Sequence, residues 1–136
     1  MKEIEFVIPA LNEATSIGDV ISGVLRRYPD SKVVVVDDGS IDETWRVAEE
    51  QGATVIRHAL NLGQWSALRT GFTVVLRDRP DIIVTLDGDG QHDPEEVDRI
   101  ISPILSDEAD IVIGSRFIEH DNPEMVKHRR FGIRFF

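Results

Sequence analysis

The sequence alternates short apolar runs with segments whose apolar residues recur every three or four positions. Continuous runs rich in Val and Ile predict strands buried on both faces, and the longer spacing predicts amphipathic helices. The predicted strands are residues 4–8, 33–36, 53–56, 82–86 and 111–113, and the predicted helices are about 17–25, 43–51, 65–76 and 97–105. This alternation predicts an α/β domain with a mostly parallel sheet and helices on both faces.

Several local signals refine these predicted helices. Thr15 or Ser16 is the expected cap of the first helix, and Gly52 is expected to end the second. Pro103 should bend or shorten the last helix.

A polar cluster follows each predicted strand. The clusters are residues 9–13, 37–40, 61–63, 87–93 and 114–116. In a parallel sheet the carboxyl ends of the strands lie along one edge, where ligands bind. Five clusters at one edge predict a single site.

The cluster after the fourth predicted strand suits a metal ion. Alternate residues of an extended segment point the same way, so Asp87 and Asp89 can share a cation, with Gln91 as a third oxygen ligand. Oxygen ligands on a short loop are typical of Mg²⁺ or Mn²⁺ sites that water or phosphate completes. A helix is predicted to begin directly afterwards, with Asp93 as its cap and Pro94 at its first position.

Two other interpretations of this loop remain open. Asp and Gly dominate solvated turns for conformational reasons alone. The acidic residues also fall at the spacing of a calcium-binding EF-hand loop, although His92 occupies the position that needs glycine.

Composition narrows the classes of partner. The 136-residue chain has a net charge of -10, no cysteine and no apolar run of membrane-spanning length. The charge argues against nucleic acid, and the lack of cysteine fits a cytoplasmic protein. No dinucleotide fingerprint or P-loop occurs. An anionic substrate could approach Asp37, Asp38, Asp87 and Asp89 only with a divalent cation between, and a nucleoside diphosphate fits this requirement.

Two further residues have a predicted binding role and an alternative. Asp38 can accept the ring N–H of uracil or guanine, or its loop can cap the next helix through Ser40 or Asp42. Arg116 offers a planar fork for the diphosphate, or it forms a surface ion pair.

Five segments together resemble the family 2 glycosyltransferases of the GT-A fold, most closely the polyprenol-phosphate sugar synthases such as dolichol-phosphate mannose synthase. They are I-P-A-L-N-E, V-V-D-D-G-S-I-D-E-T, N-L-G-Q-W-S-A-L-R-T-G, L-D-G-D-G-Q-H-D-P-E-E and V-I-G-S-R-F. The resemblance implies a nucleoside pocket lined by Pro9, Leu11 and Glu13, base contacts at Val36 and Asp38, a metal–diphosphate motif at Asp87, Gly88 and Asp89 with Gln91 as the extra ligand, and a donor-phosphate arginine at Arg116. Trp65 departs from the small residue expected at its position and is predicted to be core.

The resemblance also predicts the reaction. It implies an inverting glycosyltransferase that moves a sugar from a UDP- or GDP-sugar to an acceptor, most simply a polyprenol phosphate, with Asp89 acting through the metal. The later acidic motif that supplies a general base in many inverting members is absent, so no base is assigned. A phosphate acceptor needs none, since it is already an anionic nucleophile. We therefore expect residues 1–136 to be the nucleotide-sugar-binding part of a domain truncated at its C-terminus, without its acceptor side.

Two alternative functions are kept. A nucleotide-sugar-binding domain without activity would bind the donor and transfer nothing. A haloacid-dehalogenase-like phosphatase would use Asp87 as nucleophile and Asp89 as acid, but that motif normally follows the first strand rather than the fourth.

The last ten residues, 127–136, differ in charge from the rest of the chain. They contain no acid and interleave cations with bulky apolar residues, namely Lys127, Arg129, Arg130 and Arg134 with Phe131, Ile133, Phe135 and Phe136. This pattern predicts peripheral contact with a membrane surface or with a lipid-phosphate acceptor. The alternative is that these aromatics pack on the domain.

Overall fold

A computed structural model describes residues 2–91 and 96–114 of the chain. Strands and helices alternate along this part. The elements are β1 (Ile4–Ala10), α1 (Ile17–Arg27), β2 (Lys32–Asp37), α2 (Thr44–Glu50), β3 (Thr54–Arg57), α3 (Gln64–Val75), β4 (Ile82–Thr85) and α4 (Val97–Leu105). None of the helices in these described ranges is both long and apolar enough to cross a bilayer.

The four strands form one parallel sheet in the order β3-β2-β1-β4. The chain therefore adds β2 and β3 on one side of β1 and then crosses to place β4 on the other side. In such sheets the loops after the two strands that flank this reversal diverge and leave a crevice, which is where ligands bind. The crevice here lies at the carboxyl ends of β1 and β4.

Helices cover both faces of the sheet. On one face, Val7, Val34 and Val36 pack with Ala67 and Val75 of α3 in a buried cluster. On the other face, Phe6 and Ile8 are fully buried, as are Ile17, Ile21 and Val24 of α1. The ring of Phe6 lies 5.3 Å from that of Tyr28, which ends α1. The predicted parallel α/β sheet is confirmed.

Two predictions about apolar residues are wrong. Residues 111–113 form no strand in the described structure, and Ile111 and Ile113 are largely exposed. A strand needs a hydrogen-bonded neighbour, and a three-residue apolar run does not reveal whether one exists.

Trp65 is 85% exposed and does not belong to the core, whereas the sequence had predicted that it would. The buried face of α3 consists of Ala67, Gly71 and Val75, small residues that let the helix approach the sheet closely.

The chain divides into two compact units, residues 1–101 and 102–136. The first holds the sheet and α1 to α3. In the described part of the second, α4 continues through Pro103 and ends two residues later at Leu105, as expected of a helix shortened by proline. Three predicted features lie outside the described residues. They are the helix start at Asp93 and Pro94, the donor-phosphate residue Arg116, and the cationic segment 127–136.

Candidate functional site

A cavity of about 440 Å³ lies at the carboxyl edge of the sheet, a size typical of small-ligand sites. It opens at the crevice between the loops after β1 and β4. Its lining residues are Pro9, Ala10, Leu11, Glu13, Asp38, Asn61, Gly63, Gln64, Ala67, Asp87 and Asp89.

Most of the predicted site residues meet at this cavity. Pro9, Leu11, Glu13, Asp38, Asp87 and Asp89 all line it. Three predicted residues do not: Val36 is packed in the core cluster, Gly88 is buried behind the loop, and Gln91 lies outside the lining. A base contact at Val36 would therefore have to involve its backbone. Arg116 lies outside the described residues.

The sequence prediction missed one polar lining residue entirely. Gln64 is the first residue of α3, and its Nε2 donates a hydrogen bond to Asp87 Oδ1 at 3.1 Å. Asn61 and Gly63 belonged to a cluster that the sequence had marked at this edge. Gln64 carries no such signal, because it lies between the polar cluster 61–63 and the predicted helix 65–76, and its partner is 23 residues away.

Asp38 organises the loop that follows β3. Its Oδ1 accepts the backbone N–H of Leu62 at 3.0 Å, and its Oδ2 accepts that of Gly63, the cap residue of α3, at 2.7 Å. Burial alone would raise the pKa of Asp38, but these two bonds and the neighbouring His58 lower it below its ordinary value. Of the two residues named as alternative caps of α2, Asp42 bonds the start of the helix, since its Oδ1 accepts the backbone N–H of Thr44, whereas Ser40 Oγ accepts that of Asn12.

A hydrogen-bonded chain of three side chains joins β2, β3 and α3. His58 Nδ1 lies 2.6 Å from Asp38 Oδ1, and its Nε2 lies 2.9 Å from Thr70 Oγ1. Because an ionised carboxylate only accepts, Nδ1 donates to Asp38, and Nε2 forms the hydrogen bond with the Thr70 hydroxyl. His58 thus fixes the orientation of Asp38 at the cavity wall.

Asp37 points away from the cavity. Its side chain is fully buried, with Oδ1 accepting the backbone N–H of Ser40 and Oδ2 accepting Arg57 Nε, both at 2.9 Å. The guanidinium of Arg57 stacks over Trp45, 4.9 Å from the ring centroid. Of the four aspartates expected to face an anionic substrate, Asp37 therefore has a structural role.

Glu13 adds a third carboxylate to the acidic end of the cavity. Its backbone N–H donates to Thr44 Oγ1 at 2.8 Å, and its C=O accepts the first N–H groups at the start of α1. Its buried Oε2 has no hydrogen-bond partner among the described residues. Burial, together with the charges of Asp89 and Asp87, raises the pKa of Glu13 to about 7.

Two of these carboxylates, those of Asp87 and Asp89, offer the oxygen ligands that a divalent cation prefers. Asp89 Oδ1 accepts the backbone N–H of Gln91 at 2.8 Å, which stiffens the loop after β4. No group of three or more His, Cys, Asp or Glu side chains in the described ranges is close enough to hold a metal alone. A cation at Asp87 and Asp89 would therefore draw remaining ligands from water, Gln91 or substrate phosphate, as Mg²⁺ usually does. Among the described residues, no side chain or backbone group donates a hydrogen bond to Oε2 of Glu13 at this end of the cavity.

Gly88 allows this acidic group to assemble. A Cβ at this position would overlap Glu13 Oε2 and lie 3.0 Å from Ile17 Cδ1. The C=O of Gly88 also accepts Ser16 Oγ at 2.8 Å. Ser16 is the cap residue of α1 as predicted, yet its hydroxyl bonds this loop rather than its own helix. Any larger residue at 88 would displace the Glu13 carboxylate.

We expect Glu13→Gln to raise the stability of the metal-free protein at pH 8. The pKa of Glu13 is higher in the folded state than the unfolded value of 4.5, so ionisation favours unfolding as the pH rises from about 4.5 through 7. Removing that ionisation should gain on the order of 1 kcal/mol after solvent screening. Urea unfolding at pH 8 and pH 4 measures this; a gain of equal size at both pH values would contradict it.

We expect Gly39→Ala to destabilise the fold by about 2–4 kcal/mol. Gly39 has φ +82°, and a Cβ there would lie 2.7 Å from backbone atoms of Leu60 and Asn61, which cannot yield as a side chain can. Gly63→Ala is the matched control, because Gly63 has φ +91° with no atom within 4 Å of the added Cβ. Thermal unfolding should show a larger loss of stability for Gly39→Ala than for Gly63→Ala. Equal losses would mean that the destabilisation comes from the positive φ alone and not from the steric overlap.

Comparison with known proteins places the chain in a family. The pattern of the family described as Glycosyl transferase family 2 matches residues 5–135. A UDP-N-acetylglucosamine–dolichyl-phosphate N-acetylglucosaminyltransferase from Methanococcus voltae is 32% identical, with 93% of this chain and 56% of that protein covered. An undecaprenyl-phosphate mannosyltransferase from Micrococcus luteus is 36% identical, covering 81% and 46%. The chain spans about half the length of the curated relatives it matches.

A solved structure shares the fold. It is glucosyl-3-phosphoglycerate synthase from Mycobacterium tuberculosis in complex with Mn²⁺, UDP-glucose and phosphoglyceric acid, which aligns with a TM-score of 0.63 and 30% identity over 79% of this chain and 40% of that one. The predicted GT-A fold and the predicted resemblance to polyprenol-phosphate sugar synthases are thus confirmed. With the family pattern matched over nearly its whole length, the chain belongs to glycosyltransferase family 2.

Proposed function

We propose that this protein transfers a sugar, with inversion, from a UDP- or GDP-sugar to a polyprenol phosphate, and that residues 1–136 form its donor-binding part. The observation that carries the proposal is the cavity at the carboxyl ends of β1 and β4. One part of it is large enough for a nucleoside, and the other part is lined by carboxylates that would attract a cation. Two relatives named for lipid-phosphate acceptors, and a structural neighbour solved with Mn²⁺ and UDP-glucose, support it.

Different residues of the cavity would bind the nucleoside, the diphosphate and the cation. Pro9 and Leu11 would contact the nucleoside, and Asp38 would accept the ring N–H of the base at a lone pair left by its present partners. Asp87 and Asp89 would hold the cation, with Gln91 as a third ligand. Arg116 is proposed to contact the diphosphate.

Transfer then needs little proton chemistry. An ionised phosphate oxygen of the acceptor attacks the anomeric carbon, the bond from that carbon to the donor diphosphate breaks, and its electron pair leaves with the nucleoside diphosphate. The bound cation would neutralise charge that develops on the leaving diphosphate. The carboxylates of Glu13 and Asp87 would favour a cation over an anion at this end of the cavity. We propose that acceptor contacts come from residues outside 2–91 and 96–114.

Nucleotide binding tests the donor half directly. Calorimetry with UDP, GDP, ADP and CDP, each with and without Mn²⁺, should show that one base is preferred and that binding requires the cation. Donor binding without any transfer in a protein of the relatives' full length would favour the alternative, a binding domain. Binding of all four nucleotides alike, or equal binding in EDTA, would contradict the proposal.

The cationic segment 127–136 remains a proposed membrane contact. Its attraction to anionic lipid should be about 1 kcal/mol per basic residue and should fall with salt. The segment lies outside the described residues, and its cations beside bulky apolar side chains support this proposal.

A further inference from the structure

Gln64 joins helix α3 to the loop that carries the candidate metal ligands. Its Nε2 lies 3.1 Å from Asp87 Oδ1, and both residues line the cavity. Because an ionised carboxylate only accepts hydrogen bonds, the nitrogen of the amide and not its oxygen faces Asp87. Gln64 is therefore a neutral donor to a carboxylate that is proposed to bind a cation.

The start of α3 is a rigid support for this side chain. The N–H of Gly63, the residue directly before Gln64, donates to Asp38 Oδ2 at 2.7 Å. The C=O of Gly63 accepts the N–H of Ala67 at 3.1 Å, and Ala67 is fully buried in the cluster on this face of the sheet. The side chain of Gln64 therefore extends from a fixed backbone toward Asp87.

The two aspartates of the candidate metal site are oriented by different parts of the chain. Asp89 Oδ1 accepts the N–H of Gln91, two residues further along the same loop, at 2.8 Å. Asp87 Oδ1 accepts its bond from Gln64, which lies 23 residues earlier. The orientation of Asp89 is thus set within its own loop, whereas that of Asp87 depends in part on α3.

A hydrogen bond to one oxygen changes how a carboxylate binds a cation. With Oδ1 bonded to the amide of Gln64, Asp87 is disposed to coordinate through one oxygen rather than through both. Mg²⁺ requires a nearly ideal octahedral set of ligands, whereas Ca²⁺ accepts more ligands in a looser arrangement and readily takes both oxygens of a carboxylate. A carboxylate held in the single-oxygen mode therefore favours Mg²⁺ over Ca²⁺.

We propose that Gln64 is a positioning residue that holds Asp87 as a single-oxygen ligand and thereby makes the site selective for Mg²⁺ or Mn²⁺ over Ca²⁺. The inference rests on the proposed function, because it concerns the cation that would bind the donor diphosphate. It adds a residue outside the loop 87–93 to those that determine which metal binds.

Gln64→Met tests this role, because methionine has a similar length and helix propensity but donates no hydrogen bond. Binding of Mn²⁺, alone and with UDP or GDP, is measured from the loss of the free-ion EPR signal, and Mg²⁺ and Ca²⁺ are then titrated as competitors. The variant should bind Mn²⁺ and Mg²⁺ about 10–100-fold more weakly, the effect typical of an outer-shell partner, and Ca²⁺ affinity should fall much less. Its urea midpoint should match that of the wild type, because Gln64 is exposed.

Ser66→Ala is the matched control in the same turn of α3. Ser66 Oγ donates to the C=O of Leu62 at 2.9 Å, so the change also removes a hydrogen bond from the start of the helix, but Ser66 does not line the cavity. It should leave the affinities for all three cations unchanged.

Unchanged affinities in Gln64→Met would overturn the proposal. Equal losses for Mg²⁺ and Ca²⁺ would also overturn it, since they would indicate a general disturbance of the loop rather than a change in coordination. A comparable change of selectivity in Ser66→Ala would have the same consequence.

Nucleotide binding on the same samples separates this inference from the proposed function. Cation-dependent nucleotide binding together with unaltered selectivity in Gln64→Met would overturn the role of Gln64 alone. Altered cation selectivity without any nucleotide binding would keep that role and overturn the donor site. Absence of Mn²⁺ binding by the wild-type protein, with and without UDP or GDP, would overturn the metal site on which both depend.

Discussion

Asp89→Asn should abolish cation-dependent nucleotide binding while leaving the fold intact. Asp89 is exposed at the cavity, and the hydrogen bond that it accepts from the backbone N–H of Gln91 can also be accepted by an amide oxygen. The variant lacks one of the two charges proposed to hold the metal. Loss of a direct ligand should exceed the roughly 10–100-fold effect of outer-shell partners on metal affinity. Without the cation, the diphosphate would face the carboxylates of Asp87 and Glu13 unshielded.

Calorimetry with and without Mn²⁺ measures this result, and an exposed aspartate elsewhere provides the control. Asp30→Asn removes the same charge in the turn between α1 and β2, so it should bind nucleotide as the wild type does. Equal affinity of Asp89→Asn and wild-type protein would remove the metal assignment. Because the charge of Asp89 helps to raise the pKa of Glu13, the variant should also lower that pKa, which is measurable by NMR titration.

Asp38→Ala should destabilise the protein by about 3–5 kcal/mol as well as weaken nucleotide binding. The base contact expected from the sequence would by itself lead to weaker binding with the fold intact. In the structure, the carboxylate accepts bonds from two backbone N–H groups and from His58, and alanine would leave all three partly buried donors without it. Each donor left unsatisfied costs about 1–3 kcal/mol, and their sum is moderated by water entering the site.

Urea unfolding of a graded series tests this role. His58→Ala removes one of the three donors together with the link to Thr70, so it should cost less, about 1–2 kcal/mol. Asp38→Asn keeps one acceptor oxygen and should fall between the two. A fully stable Asp38→Ala protein that binds nucleotide poorly would instead make Asp38 purely a base-recognition residue.

The fold could be predicted from the sequence because its signals are local. Continuous Val and Ile runs such as Lys32–Asp37 need no distant partner to indicate a strand buried on both faces. The prediction of a fifth strand was wrong because a strand also needs a distant partner. Residues 111–113 have the apolar pattern but no neighbouring strand in the described structure. The prediction that Trp65 is buried was wrong because a large apolar residue is buried only if it lies on the helix face that packs against the sheet. Here α3 presents Ala67 and Gly71 instead.

The sequence alone predicts which loops form the candidate site, because parallel strands must bring their carboxyl ends to one edge. It also predicted a metal site at Asp87 and Asp89, which are two residues apart. Only the tertiary structure decided the direction of each carboxylate. Asp37 turns inward to Arg57, Asp38 holds the start of α3, and Glu13 joins an acidic group more than 70 residues away. The orientations of Asp37 and Asp38 depend on hydrogen-bond partners 20 or more residues away, and no local pattern encodes such pairs.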